Sequence, residues 1–191
     1  MTTNRIEAFS DGVIAIIITI MVLELRVPHE ANLAALQPLA PVLISYLLSF
    51  IYIGIYWSNH HHLLHAADHV NGRILWANLH LLFWLSLVPF VTAWMGENHF
   101  ERVPVAIYGL VLFAASIAYF ILTRALIALH GRTSKLATAV GHDFKGLLST
   151  FIYALAIPLS LARGWLGFAF YVVVAIMWLV PDRRIERALT E

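Results

Sequence analysis

The chain has 191 residues, 61% hydrophobic and 12% charged, with a mean hydropathy of +0.80 and a net charge of +1. A soluble domain averages about 45–50% apolar and about 25% charged, so one small core cannot hide this much apolar surface and the solvent is lipid. The composition excludes disorder, collagen, a disulfide scaffold and a free nucleic-acid binder. The lack of cysteine removes thiolate metal sites and catalytic thiols.

A helix needs roughly 20 mostly apolar residues to cross a bilayer. Uncharged runs extend over 12 positions from Gly12 to Leu23 and 37 from Ala31 to Ala67. Ile74 to Gly96 gives 23, Val103 to Thr123 gives 21, Gly146 to Ala162 gives 17 and Gly164 to Pro181 gives 18. The 37-residue run reads as one long helix plus loop, because Pro38 and Pro41 mark a start and the stretch from His60 to His69 is too polar for hydrocarbon. The expectation is therefore an all-α polytopic membrane protein with six transmembrane helices. Their approximate bounds are 4–26, 38–64, 74–96, 103–129, 144–163 and 165–182, in a single domain over residues 1–191.

With six spans both termini share one side. That side holds Arg5, Arg73, Arg124, Arg132, Lys135, Lys145, Arg183, Arg184 and Arg187; the other holds Arg26, Arg102 and Arg163. Nine basic residues against three place the termini in the cytoplasm. The first apolar run follows an acidic cluster rather than a basic region and has no small-residue cleavage site, so it is expected to stay in the mature protein. Pro89 and Pro158 fall inside spans and are expected to kink them.

The first span differs from the rest. Its uncharged stretch is too short to cross unless the helix includes Asp11 and Glu24, and ionisable groups at such depth cost several kcal/mol unless paired or wetted. Ile16, Thr19, Ile20 and Leu23 fall at i, i+3, i+4 and i+7 on one stripe, with Thr19 its only hydroxyl. The stripe suits packing against neighbouring helices; it also suits a pore lined by symmetry-related copies, since one polar helix cannot line a pore alone.

The polar groups that accompany this helix converge in the six-span topology. The start of the first helix, the end of the second and the start of the third meet at the cytoplasmic boundary. Arg5, Ser10, Asp11, Trp57, His60, His61 and Asn78 are expected to form one hydrogen-bonded cluster there, each group satisfying another. His61 and His65 at i, i+4 would suit a metal, but the other histidines are scattered, and no metal site is expected. No Walker motif, nucleophile elbow, dinucleotide-binding fingerprint or T-V-G-Y-G filter is present.

Arg5-x-x-x-Phe9-Ser10-Asp11 at the head of the first helix resembles the R-x-x-x-F-S-D motif of the transmembrane protein 175 potassium-channel family. Trp57-x-x-His60-His61 in helix 2, and Asn78 with Leu87-x-Pro89-Phe90 in helix 3, fit the same pattern. The resemblance implies a single-repeat prokaryotic member that assembles as a homotetramer and conducts K⁺ passively, with no other cofactor and no enzymatic activity. It implies four copies of helix 1 around the pore, a constriction of Ile16, Ile20 and Leu23 with Ile16 narrowest, and Thr19 and Ala15 beside it. Ala15 stands where some members carry a hydroxyl, which leaves Thr19 as the selectivity-determining hydroxyl. Arg5, Phe9, Ser10, Asp11, Trp57, His60, His61 and Asn78 would be structural. The expected partners are further copies of the chain, the lipid bilayer and monovalent cations, in a prokaryotic cell membrane. The rival functions are a proton-coupled transporter using Asp11 and His61, and a membrane metal enzyme built on the histidine run.

Overall fold

The computed structural model describes residues 3–131, 133–141 and 143–179. It is helical throughout its apolar length: α1 (Asn4–Leu23), a 3-10 segment (Leu33–Leu39), α2 (Ala40–His65), α3 (Gly72–Ser86), α4 (Val88–Glu97), α5 (Arg102–His130), the short α6 (Lys135–Val140), α7 (Phe144–Ala162) and α8 (Gly164–Leu179). Five continuous stretches are long and apolar enough to cross a membrane: 4–23, 33–65, 72–97, 102–130 and 144–162. α8 is a sixth apolar helix, 16 residues long as described. Residues 180–182, assigned to the last span by the sequence, lie outside the described residues, as do Arg132, Arg183, Arg184 and Arg187.

Local chemistry sets the helix ends. The Asn32, Asn71, Ser134 and Asp143 side chains accept from the backbone N–H groups of Ala35, Ile74, Ala137 and Gly146, at 2.9–3.1 Å, which satisfies donors that a first helical turn leaves unpaired. Pro41 stands in the first turn of α2, where its missing N–H costs nothing. Pro89 divides the third span: α3 ends at Ser86, Leu87 N–H closes back on Trp84 O at 3.2 Å, and α4 starts at Val88. Pro158 leaves α7 as one helix.

α5 is the hub. It packs on α3, α4, α7 and α8, while α1 lies on α2, α3 and α4. Close approach relies on glycine: a Cβ at Gly109 of α5 would run into the Tyr171 hydroxyl of α8, and one at Gly164 into the Phe100 carbonyl. The core around α5 holds hydroxyls as well as aliphatics, and these pair with each other. Ser49 Oγ meets Thr92 Oγ1 at 2.7 Å and Tyr108 Oη at 3.0 Å, and Tyr52 Oη donates to Tyr171 O at 2.6 Å. Polar groups out of reach of water are thus satisfied within the bundle.

Candidate pore-lining helix and its polar anchor

α1 has two unlike faces. Ile6, Ser10, Ile14, Ile17 and Met21 are buried against α2, α3 and α4. Gly12, Ala15, Ile16, Thr19, Ile20 and Leu23 are exposed along the opposite side. Ile14 is 2% exposed and Ile17 3%, whereas Ile16 is 58% exposed and Leu23 80%. The subunit's own helices therefore consume one side of α1 and leave the Ile–Thr–Leu stripe uncovered. Thr19 Oγ1 donates to Ile16 O at 2.9 Å, so its proton is engaged on its own helix and its lone pairs remain outward.

A buried string holds the covered face. Ser10 Oγ donates to Ile6 O at 2.7 Å, Asn78 Nδ2 donates to Ser10 Oγ at 2.9 Å, and Asn78 Oδ1 meets His60 Nε2 at 2.7 Å. Because the Asn78 amide donates, its oxygen accepts, and His60 carries its proton on Nε2. His60 Nδ1 has no partner among the described residues. One string thus links α1, α3 and α2 through Ser10, Asn78 and His60, all at most 1% exposed.

A second, outer set lies alongside. Trp57 Nε1 donates to Asp11 Oδ1 at 3.0 Å, and His61 Nδ1 lies 2.8 Å from Glu7 Oε1. The Trp57 and His61 rings stack with centroids 6.1 Å apart, and His65 continues the stack at 5.9 Å.

The single cluster expected from the sequence is thus two separate sets. Asp11 meets Trp57 rather than His61, and Glu7 takes His61. Arg5 is exposed and joins neither set among the described residues. Phe9 is 54% exposed and outside both. Glu7 was missed, although Glu7 and Asp11 at i, i+4 share a helix face, a spacing that could have pointed to it. His65 stacks on the His61 ring. Among the described residues no three His, Asp or Glu side chains come together as a metal set.

The fold and this site define a polytopic all-α membrane protein whose first helix is anchored by buried polar bonds and presents an unpartnered apolar stripe. A family model described as endosomal/lysosomal potassium channel TMEM175 matches residues 5–89, the stretch that contains α1, α2, α3 and both polar sets. A curated potassium channel of Chryseobacterium is 53% identical over the full length of both chains. A potassium channel of Chamaesiphon minutus is 30% identical, over 91% of this chain and 92% of that one. The crystal structure of a lysosomal potassium-selective channel TMEM175 homologue from Chamaesiphon minutus superposes with a TM-score of 0.81 at 30% identity, over 93% of this chain and 96% of that one. The chain belongs to the TMEM175 potassium-channel family.

Proposed function

We propose that residues 1–191 work as one six-helix subunit of a homotetrameric channel that passes K⁺ down its gradient. The carrying observation is the division of α1: one face is buried in its own bundle and the other, with Ile16, Thr19, Ile20 and Leu23, stays exposed among the described residues. Four copies around an axis bury that stripe against each other and leave a narrow apolar passage. Family membership and the potassium-channel names of full-length relatives support K⁺ as the permeant ion. The nine-to-three distribution of basic residues supports cytoplasmic termini in a prokaryotic cell membrane.

A ring of branched aliphatic side chains at Ile16, Ile20 and Leu23 offers a cation no ligand and closes by dewetting. When it widens, the ion that sheds water at lower cost is favoured, and K⁺ holds water less tightly than Na⁺. Thr19 supplies the oxygen of the stripe, with Ala15 beside it as a small, non-ligating surface. Selectivity of this kind is modest, and it needs neither cofactor nor catalytic group.

A proton-coupled transporter using Asp11 and His61 has less support, because those side chains engage Trp57 and Glu7 instead of each other. Purified protein in liposomes separates the two. A channel dissipates a K⁺ gradient without a proton gradient; strict dependence on an opposing proton gradient would overturn it.

A further inference from the structure

A cavity of about 260 Å³ lies between α2, α5, α7 and α8, near the end of the bundle where the chain begins. No residue of α1 lines it, so it is separate from the proposed pore. Its base is the Tyr52–Tyr153 pair, with ring centroids 6.2 Å apart. Its walls are aromatic: Tyr56 and Tyr119 meet edge-on at 6.2 Å, and Phe120 and Trp178 also face it.

Two polar features stand in this wall without counterparts. The Tyr56 hydroxyl has no hydrogen-bond partner among the described residues. The Asp143 carboxylate caps α7 through Oδ1, which accepts from Gly146 N–H at 2.9 Å, and among the described residues no cation lies within ion-pair distance of it. Two rings already hold cations: Arg124 sits 4.9 Å over Phe120, and the Lys145 ammonium 5.9 Å over Trp178. Those two ring faces are thus occupied, and among the described residues the one carboxylate of the wall, Asp143, has no ion-pair partner.

We propose that this cavity binds a small amphipathic amine, with its apolar body among Tyr56, Tyr119, Phe120 and Trp178 and its ammonium on Asp143. The chemistry discriminates. A hydrocarbon chain fills the space but leaves the carboxylate and the Tyr56 hydroxyl unmatched. An anionic headgroup faces the Asp143 charge. An ammonium gains the carboxylate and the faces of Tyr56 and Tyr119, which hold no cation among the described residues, the combination by which aromatic cages hold organic cations.

The test uses the whole protein in nanodiscs and three probes of one shape: 4-phenylbutylamine, 4-phenylbutanol and 4-phenylbutyrate. Calorimetry should show saturable amine binding about tenfold tighter than the alcohol, with the carboxylate weakest. Asp143→Asn keeps a capping oxygen for Gly146 and should bring the amine down to the level of the alcohol. Ile117→Trp, at the cavity wall, should abolish both. Equal affinity for amine and alcohol, tighter binding of the carboxylate, no saturable amine binding, or an amine affinity unchanged by Asp143→Asn would each overturn the proposal. If Asp143→Asn does not fold, the ranking of the three probes on the unaltered protein decides alone. K⁺ flux measured on the same preparation keeps this outcome separate from that of the channel reading.

Discussion

The side-chain amide of Asn78 donates to Ser10 Oγ at 2.9 Å, and through this bond α3 grips the covered face of α1. Asn78 also accepts from His60, so one buried side chain satisfies a group on each of two other helices. Asn78→Ala leaves a histidine N–H and a serine lone pair unpartnered in the core, at a cost of about 2–4 kcal/mol. The expected result is a clear fall in thermal midpoint and in the assembled fraction on size-exclusion chromatography. A midpoint equal to that of the unaltered protein would remove the anchoring role.

Asp11→Ala strands Trp57 Nε1. Trp57 is partly exposed, so water replaces much of the lost bond and the cost is about 1 kcal/mol. Asp11→Asn keeps an acceptor and should retain near-normal stability. The group that unpairs His61 is Glu7, so Glu7→Ala and Asp11→Ala should disturb different partners. Thermal unfolding of the three variants checks the ranking, and the Trp57 contribution to the emission is isolated from the other five tryptophans by difference against the same variants carrying Trp57→Phe; a Trp57 emission shift in Glu7→Ala but not in Asp11→Ala would contradict the assignment.

Ile16→Asn puts an amide into the proposed dewetted ring. It should hold water there and raise K⁺ leak through liposomes several-fold, with little effect on folding because Ile16 is exposed in the subunit. Unaltered flux in a correctly assembled variant would sink the constriction.

Thr19→Val keeps the shape and removes the oxygen. The Thr19 proton is already engaged by Ile16 O, so what the substitution takes from the passage is an acceptor. Reversal potentials under bi-ionic conditions should show weaker discrimination between K⁺ and Na⁺ at nearly unchanged stability. A ratio equal to that of the unaltered protein would show that Thr19 is not the selectivity-determining hydroxyl.

Gly109→Ala drives a methyl group into the Tyr171 hydroxyl. That hydroxyl lies 3.2 Å from Ser160 Oγ and donates to Val105 O at 3.3 Å, so it has little room to retreat. Overpacking of this kind costs about 1–3 kcal/mol. A lowered thermal midpoint is expected, and an unchanged one would mean that α5 and α8 separate at no cost.

By itself the sequence determined the solvent, the helical class and which segments are apolar enough to cross, because hydropathy and charge spacing act locally and apolar runs of about 20 residues satisfy their backbone in lipid as helices. The Ile16–Leu23 stripe was also legible, since helical periodicity alone places those side chains on one side. The sequence named most of the anchor but could not pair it. Glu7 and Asp11 share one face of α1, and only the packing of α1 on α2 and α3 decides that Asp11 meets Trp57, Glu7 meets His61, and Ser10 reaches Asn78. The tertiary structure also decided which side of α1 is spent. Ile14, Ile16 and Ile17 are alike in composition, and burial against neighbouring helices is what separates two of them from the one left facing outward.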